Sequence, residues 1–421
     1  MNGLHLVANL YGCKGDARYL TDRDALRDFC LEAVRKAGLT SLGDLFHQFD
    51  SESADPGGVT GAIVLAESHL AIHTWPELNS VTLDVYVCNY TQDNSAKANQ
   101  VLDDLMALFK PTDYVRHDVP RDQQHLYEHL NPDYGFFIRS TKRLEELHTG
   151  LQALEMHQTP QFGKLLRLDG CFMTSEGEEF FYHENLIHPA LTAHAAPKEV
   201  LIIGGGDGGA ADEVLKHPTV ARVTLVELDA KVVEVSRKYL ADVHHGSLDS
   251  PKLRLLIEDG LKFIAETGEK FDLIALDLPD PIGPAADLYE EAFFESCRRA
   301  LAPGGVLTLH MGSPVSVPGR VKEHYARLAR VFPIVRPYTV FIPLYGSLWS
   351  LAACSDTLDP VAVSSAEIDR RIARRGLSDL QYYNGATHQA VFALPNFVRD
   401  LTVGGRPAPA LVGKRRAASG K

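Results

Sequence analysis

The chain has 421 residues, enough for two or three domains, and its 45% hydrophobic and 23% charged residues are typical of a globular protein with more than one core. The net charge of −13 argues against a general nucleic-acid-binding protein, and it is equally compatible with cationic substrates and with an acidic surface that serves only solubility. Six scattered cysteines without a C-x-x-C pair, no signal peptide and no apolar run of membrane-spanning length together predict a cytoplasmic protein without disulfides, zinc or membrane contact.

Residues 1–115 show the element order of a small α+β domain. Hydrophobic periodicity predicts strands over 4–12, 43–49, 59–65, 69–74 and 80–87 and helices over 22–37 and 92–109. A polar, proline-containing segment follows and predicts a linker over 116–135.

One segment of this domain carries residues capable of nucleophilic chemistry. Ser68 and His73 lie five residues apart within E-S-H-L-A-I-H-T-W-P-E, and Cys88 follows Ser68 by twenty residues on the next predicted strand. Serine, histidine and cysteine can act together as nucleophile, base and acid. The spacing alone favours a β-hairpin with chance polar residues.

The longer string G-A-I-V-L-A-E-S-H-L-A-I-H-T-W-P-E, with its spacing to Cys88, resembles the processing site of bacterial-type S-adenosylmethionine decarboxylases, over residues 2–115. The resemblance implies self-cleavage between Glu67 and Ser68, which turns residue 68 into a pyruvoyl group. It also implies that His73 assists the cleavage and that Cys88 donates a proton to the decarboxylated carbon. An imine to a pyruvoyl group delocalises the carbanion left by loss of carbon dioxide, so no metal or added cofactor is required.

Two alternatives stay open for this first domain. It decarboxylates ornithine or arginine instead, because the pyruvoyl chemistry is shared, or it is a non-catalytic regulatory or dimerisation module.

The pattern changes after the linker. Short strands and turns predict a small β domain over 136–195, with strands as far as residue 185. Strands alternating with helices predict a doubly wound, Rossmann-like α/β domain of the methyltransferase type over 196–403, followed by a disordered tail over 404–421. The predicted strands are 200–203, 223–226, 253–257 and 273–276, and the predicted helices are 208–217, 230–240, 260–266 and 289–301.

A glycine-rich loop follows the first strand of this domain. Gly204, Gly206 and Gly209 satisfy G-x-G-x-x-G between a strand and a helix, and Glu227 closes the next strand, where it can accept both hydroxyls of a ribose. The pattern therefore predicts a site for an adenosyl nucleotide. Asp207 within the loop would repel a pyrophosphate and favours a sulfonium or ammonium ligand.

Acidic residues end the next two strands. Asp259 and Gly260 follow the third strand, where Asp259 either contacts adenine or only caps a helix. Asp277 ends the fourth strand and Asp280 follows in a proline-stiffened loop, L-D-L-P-D-P-I-G-P-A. Two carboxylates there suit a cationic amine, since one can hold the charge while the other accepts a proton as the nitrogen attacks.

The motifs G-G-G-D-G-G, V-E-L-D, E-D-G, D-x-x-D-P-I-G-P-A and Q-Y-Y-N resemble those of spermidine synthase, an aminopropyltransferase, over about 124–403. The resemblance implies that Asp277 is the base and amine anchor, Asp280 binds the diamine and Asp207 holds the aminopropyl ammonium of the donor. It implies that Glu227 binds the ribose and Asp259 the adenine. The other residues that it places in the site are Gln152, Tyr182, His183 and Tyr345, the last orienting the attacking amine.

This chain departs from the family pattern near the acceptor. It has D-L-P-D where the family usually has D-S-S-D or D-C-T-D, and its P-L-Y-G-S-L-W segment is about one residue short. A methyltransferase with the same sheet is a further alternative, which the D-x-x-D-P-I-G-P loop disfavours.

Together the resemblances imply a bifunctional enzyme of polyamine biosynthesis. The first domain would make decarboxylated S-adenosylmethionine, and the second would transfer its aminopropyl group to putrescine or a similar diamine, giving spermidine and methylthioadenosine. We expect small-molecule substrates, no nucleic acid or membrane partner, and at least a homodimer.

Overall fold

The computed structural model describes residues 3–50, 56–90, 92–121, 124–281 and 283–403, so the predicted disordered tail lies outside the described residues. The chain divides into a first unit that ends at Gln124 and a second that begins at His125. In the described part of the chain, every helix is too short or too polar to cross a membrane.

The first unit is a six-stranded antiparallel sheet with helices on one face. Its elements are β1 (Gly3–Tyr11), α1 (Arg18–Thr21), α2 (Arg23–Lys36), β2 (Ser41–Gln48), β3 (Val59–Leu65), β4 (Ser68–Trp75), β5 (Ser80–Cys88), α3 (Ser95–Phe109) and β6 (Asp113–Pro120). The strand order is β2-β3-β4-β5-β1-β6. Alternate residues such as Leu6, Leu70 and Leu83 are fully buried in one core with residues of α2 and α3. The strands and helices predicted from periodicity match these elements within a few residues.

The segment predicted as a linker is mostly β-strand, so the prediction of an irregular connection there is wrong. β6 pairs with β1 along its whole length, from Tyr11 opposite Asp113 to Leu4 opposite Pro120. β7 (Gln124–Asn131) pairs with the strand that follows it. Backbone hydrogen bonds hold an edge strand whatever its side chains, so polar residues at an edge do not reveal the strand.

The second unit opens with strands and one buried helix. β7 and β8 (Tyr134–Ser140) form a two-stranded sheet. β9 (Lys142–His148), β10 (Ala153–Thr159), β11 (Gly163–Leu168) and β12 (Cys171–Ser175) form an antiparallel sheet in the order β12-β11-β10-β9. The prediction of strands as far as residue 185 is wrong from Glu179 onward, where α4 (Glu179–Ala193) begins. Nearly all of α4 is buried, so it has no polar face and no helical period in its hydrophobicity.

The rest of the second unit is a seven-stranded sheet with helices between its strands. In chain order its elements are β13 (Glu199–Gly204), α5 (Gly209–Leu215), β14 (Arg222–Glu227), α6 (Ala230–Tyr239), α7 (Ala241–His244), β15 (Leu253–Ile257), α8 (Gly260–Glu266), β16 (Phe271–Asp277), α9 (Glu291–Ala300), β17 (Leu301–Gly312), α10 (Pro318–Val331), β18 (Ile334–Ile342), β19 (Ser347–Ser355), α11 (Ser365–Arg375), α12 (Gly385–Val391) and α13 (Asn396–Leu401).

The strand order is β15-β14-β13-β16-β17-β19-β18, with the first five strands parallel and β19 antiparallel to both of its neighbours. The order reverses between β13 and β16, which makes this the switch point where open α/β sheets bind ligands. The register there pairs Gly204 with Asp277, so the glycine loop and the first aspartate lie side by side.

Candidate active site

A cavity of about 450 Å³ lies in the second unit at the carboxyl ends of β13, β14 and β16. Twelve of the residues predicted for the nucleotide and amine line it: Gln152, Tyr182, His183, Gly204, Gly206, Asp207, Glu227, Asp259, Gly260, Asp277, Asp280 and Tyr345. The topology therefore brings to one place residues that lie far apart in the sequence.

Glu227 lies against the glycine loop at the end of β14. Its Oε2 accepts a hydrogen bond from the Gly206 N–H at 3.1 Å, and its Oε1 accepts one from the Asp229 N–H at 2.8 Å. A Cβ on residue 206 would lie 2.8 Å from Oε2, so glycine is required for this close approach. Burial raises the pKa of Glu227 to about 7. Both oxygens sit at the cavity wall, where they can accept further hydrogen bonds from a pair of hydroxyls.

Gln152 reaches the same wall from the β9–β10 turn. Its Nε2 donates to Oδ2 of Asp229 at 2.9 Å, while Oδ1 of Asp229 accepts the Lys231 N–H and caps α6. Asp229 is buried, and the sequence reasoning did not single it out. Asp259 caps α8 by accepting the Leu261 N–H at 2.8 Å and also lines the cavity, so the two interpretations of this residue are compatible.

His183 on α4 lies at the centre of three carboxylates. Its Nδ1 is 2.7 Å from Oε2 of Glu179, and its Nε2 is 3.5 Å from Oδ2 of Asp207 and 3.9 Å from Oδ2 of Asp277. A Cβ on Gly209 would lie 2.3 Å from the imidazole Cε1, so the third glycine of the motif makes room for this ring. One side-chain atom each of His183, Asp207 and Asp277 lies within 4.8 Å of the others, a spacing that suits a bound cation.

The charges of this cluster are set by burial and proximity. Burial alone would lower the pKa of His183, but Asp207, Glu179 and Asp277 raise it well above its usual value, so the imidazole is protonated at neutral pH. Burial tends to raise the pKa of Asp207, and His183 overcomes this and holds it below its usual value. Burial, followed by the Asp207 carboxylate, raises the pKa of Asp277 to about 7 against the opposing effect of His183. Asp277 can therefore take up or release a proton near neutral pH.

Asp277 Oδ2 is buried and has no hydrogen-bond partner among the described residues. An unpaired buried carboxylate oxygen is unfavourable in a folded protein unless a ligand completes its hydrogen bonding. Because Asp277 lines the cavity, this oxygen can accept a hydrogen bond or a proton from a bound ligand.

Aromatic rings border the cavity beyond Asp277. The rings of Tyr182 and Tyr345 meet edge to face with centroids 5.9 Å apart, and Trp349 lies 4.9 Å from Tyr345. The Tyr345 hydroxyl donates to the carbonyl oxygen of Met173 at 2.9 Å, which fixes the ring. A smaller cavity of about 50 Å³, here called the distal cavity, continues past these rings and is also lined by Asp280.

In the first unit, β3 and β4 form a hairpin whose two-residue turn ends at Glu67. Leu65 pairs with Ser68 across the turn, and Glu67 has a φ of +60°, a left-handed conformation that costs about 1–2 kcal/mol for a residue other than glycine. The Ser68 Oγ accepts a hydrogen bond from the Cys88 N–H at 3.1 Å. The structure therefore brings Ser68 and Cys88 together at the ends of β4 and β5.

His73 does not join them. Five residues along a strand correspond to about 17 Å, and an odd separation places the two side chains on opposite faces of the sheet. His73 Nδ1 lies 2.6 Å from the Thr60 Oγ1 on β3 instead. Within one chain, His73 and Ser68 are therefore apart.

Sequence reasoning missed two further charged residues of the second unit. Glu179 holds His183 through an i,i+4 contact on α4, and this spacing would have been informative had the helix been predicted. Arg320 on α10 forms an ion pair with Asp280, with Nη1 2.5 Å from Oδ2. No local pattern signals that pair, because its partners lie forty residues apart in different elements.

Two family models match separate parts of the chain. The family model for the spermine/spermidine synthase domain matches residues 179–364, and the model for S-adenosylmethionine decarboxylase matches residues 4–122. The chain is 48% identical over 275 residues to a polyamine aminopropyltransferase of Nitrosomonas europaea, covering 65% of this chain and 84% of that protein. It is 37% identical over 275 residues to one of Bacillus subtilis, covering 65% of this chain and 97% of that protein.

Two solved structures are similar as well. One is a spermidine synthase in complex with the transition-state analogue AdoDATO, with a TM-score of 0.63 and 36% identity over 67% of this chain and 96% of that chain. The other is spermidine synthase from Thermotoga maritima, with a TM-score of 0.62 and 36% identity over 67% of this chain and 95% of that chain.

Proposed function

The chain belongs to the polyamine aminopropyltransferase family and also carries an S-adenosylmethionine decarboxylase domain, and we propose that it converts S-adenosylmethionine and putrescine into spermidine in two steps. The two family matches confirm both resemblances seen in the sequence. The self-processing, the acceptor, the oligomer and the residue roles belong to the proposal.

The observation that carries the transfer step is the buried, unpaired Oδ2 of Asp277 with its raised pKa, next to the cavity. The acceptor nitrogen attacks the methylene carbon bound to the sulfonium of decarboxylated S-adenosylmethionine. The C–N bond forms as the C–S bond breaks, the electron pair goes to sulfur, and methylthioadenosine leaves as a neutral thioether. The nitrogen releases a proton to Asp277. A free alkyl amine has a pKa of about 10.4, so a proton acceptor is needed at neutral pH.

The remaining residues hold the donor. Glu227 accepts the ribose hydroxyls through its two carboxylate oxygens, of which one is held by the Gly206 N–H and the other by the Asp229 N–H. Asp259 contacts the adenine, and Asp207 supplies the counter-charge for the aminopropyl ammonium. His183, fixed by Glu179, keeps Asp207 ionised, as the lowered pKa of Asp207 requires. Because a sulfonium is already a good leaving group, the site contributes mainly orientation and charge complementarity.

The first unit supplies the donor. The Ser68 Oγ attacks the carbonyl carbon of Glu67, and the peptide bond becomes an ester. Elimination then releases the Glu67 carboxylate and leaves a dehydroalanine, whose hydrolysis with loss of ammonia gives the pyruvoyl group. Two observations support this: Glu67 has a strained backbone conformation, and the Cys88 N–H orients the Ser68 Oγ. The contact between the Cys88 backbone and Ser68 places this cysteine next to residue 68, and we assign its thiol as the proton donor to the decarboxylated carbon.

The separation of His73 from Ser68 supports a homodimer. His73 lies on the face of the sheet opposite the helices, and large apolar side chains on that face are exposed: Leu45 by 75%, Val64 by 55% and Val119 by 47%. These side chains lie on β2, β3 and β6, so exposed apolar residues occur at both edges of this open sheet face, which favours a face that a partner covers. A symmetric dimer that covers this face would place His73 in the interface. Ser68 faces the other side of the sheet but begins β4 at the hairpin turn, so His73 of one protomer would have to reach the Ser68 of the other around that turn.

Mixing two inactive variants tests this arrangement. Ser68→Ala and His73→Ala chains would each remain uncleaved or cleave slowly alone. Co-expressed, they form a mixed dimer in which one site has both residues, so cleavage of the His73→Ala chain recovers. If co-expression leaves both chains uncleaved, His73 does not act across an interface.

Product analysis tests the transfer step. Purified chain, decarboxylated S-adenosylmethionine and putrescine should give methylthioadenosine and spermidine in equal amounts. Intact mass of the same sample should show two fragments that meet between Glu67 and Ser68, with a pyruvoyl mass on the larger. Absence of methylthioadenosine would end the transfer proposal, and a single unprocessed species would end the proposal for the first unit.

A further inference from the structure

The ion pair between Arg320 and Asp280 lies at the acceptor end of the site. Arg320 is in the first turn of α10, and its side chain passes over Gly312, which has a φ of +92° and presents no Cβ. Its Nη1 donates to Oδ2 of Asp280 at 2.5 Å, and the two side chains are only 24% and 30% exposed. The inference below rests on the proposed aminopropyl transfer, because it concerns the acceptor of that reaction.

Only one of the two Asp280 oxygens is engaged. Oδ1 is buried and has no hydrogen-bond partner among the described residues, while Asp280 borders the distal cavity together with His310, Tyr345 and Trp349. An acceptor anchored at Asp277 and extending past Tyr345 would place its far end here. Asp280 Oδ1 is the group available to receive that end.

The charge in the distal cavity is nevertheless close to neutral. Arg320 balances Asp280, and burial lowers the pKa values of His310 and His324, the latter to about 3, so neither imidazole adds positive charge. Burial raises the pKa of Glu128, which also lines the cavity, to about 7, so this carboxyl is only partly ionised at neutral pH. The proximal site around Asp277 has three carboxylates near one imidazole, so the two ends of the acceptor site differ in charge.

We propose that Arg320 determines acceptor choice by competing with the distal ammonium of a diamine for Asp280. A diamine must either displace the guanidinium or share the carboxylate with it. An acceptor of the same length with a neutral hydroxyl or methyl end meets no such repulsion. The expected acceptors are therefore primary alkyl amines. With Arg320 present, the site prefers an acceptor with a second positive charge less strongly than it would with Asp280 alone.

The size of the effect follows from electrostatics. Two like unit charges a few ångströms apart, at an effective dielectric constant of about 20, repel strongly enough to change binding by about tenfold or more. We expect this in the KM of the diamine, because the distal ammonium is remote from the breaking C–S bond.

The test compares Arg320→Met with the wild type. The acceptors are 1,4-diaminobutane and 4-aminobutan-1-ol, and the readout is the ratio of their kcat/KM values for methylthioadenosine release. In Arg320→Met, the ratio of kcat/KM for the diamine to kcat/KM for the amino alcohol should be about tenfold higher than in the wild type. The change should come from a lower KM for the diamine, with little change in kcat. Arg320→Lys keeps the charge and should restore most of the wild-type ratio.

Arg330→Met is the matched control, since Arg330 is on the same helix but pairs with Glu291 at the surface. It should leave the ratio unchanged, and thermal unfolding of all three variants checks that they fold. A ratio that stays the same or falls in Arg320→Met overturns the inference. Failure of every amine to release methylthioadenosine in the wild type would instead refute the proposed function.

Discussion

Replacing Asp277 by asparagine removes a carboxylate that the proposed reaction requires and whose burial is unfavourable for folding. As the proton acceptor it must be ionised, so transfer by the wild type should rise with pH through about 7, the raised pKa of Asp277. A positioned general base contributes about 10²–10⁴-fold, so Asp277→Asn should lower kcat by that factor. The variant should also lose the inflection near neutral pH.

The same change should stabilise the protein at neutral and higher pH. The pKa of Asp277 is raised from 3.8 to about 7, so the folded state binds this proton more tightly than the unfolded state does. Stability contributed by the protonated form is fully present below about pH 4 and is lost as pH rises through about 7. The rise in pKa from 3.8 to about 7 corresponds to about 4 kcal/mol at most.

Urea unfolding of the wild type and Asp277→Asn between pH 4 and pH 8 measures how much Asp277 contributes to the free energy of unfolding at each pH. The two should have nearly the same free energy of unfolding at pH 4, and the variant should be more stable by up to several kcal/mol at pH 8. Glu234→Gln, at an exposed position of α6, is the control and should change neither activity nor the pH dependence. An activity of Asp277→Asn within threefold of the wild type would refute this role for Asp277. So would a stability of the variant, measured relative to the wild type, that is lower at pH 8 than at pH 4.

Three further predictions concern the donor site and the processing site. At pH 8, above the pKa of about 7 that burial gives Glu227, the carboxyl is ionised, and Glu227→Gln should raise the KM for the donor by about 10–100-fold, since hydrogen bonds to a charged acceptor contribute about 1.5–3 kcal/mol. An unchanged KM would remove Glu227 from the ribose site. Gly209→Ala should lose donor binding and stability, because the new Cβ would lie 2.3 Å from the His183 ring, whereas Gly319→Ala meets no atom within 4 Å and should be tolerated in thermal unfolding. Ser68→Ala should give one uncleaved species by intact mass, and cleavage at the same bond in this variant would show that another group attacks it.

Sequence patterns predicted most of the elements, because the strands of the first unit pack on one face and the central strands of the parallel sheet are continuous apolar runs between helices. Strands of the first unit alternate buried and exposed residues, and the strands and helices between residues 199 and 300 alternate as a parallel sheet requires. The site residues at the ends of β13, β14 and β16 followed from that order, since the carboxyl ends of neighbouring parallel strands meet.

The parts that were missed depend on tertiary packing. α4 is buried on all sides, so its sequence has no amphipathic pattern. Because the helix was not predicted, the contact between Glu179 and His183 was not predicted either. β6 and β7 are polar strands held by backbone pairing. Arg320 reaches Asp280 only because α10 follows β17 next to the end of β16, which no local spacing reveals. The resemblance implied that His73 assists cleavage at Ser68, but strand geometry places the two side chains apart within one chain.

The central claim is that one chain makes its own aminopropyl donor and then uses it. The direct measurement supplies purified wild-type chain with S-adenosylmethionine labelled at its carboxyl carbon, together with putrescine, and follows labelled carbon dioxide, methylthioadenosine and spermidine over time. We expect all three, with methylthioadenosine and spermidine in equal amounts. Ser68→Ala should release no labelled carbon dioxide and should form methylthioadenosine and spermidine only when decarboxylated S-adenosylmethionine is supplied. Methylthioadenosine formed by the wild type from the decarboxylated donor but never from S-adenosylmethionine, with no labelled carbon dioxide, would contradict the central claim.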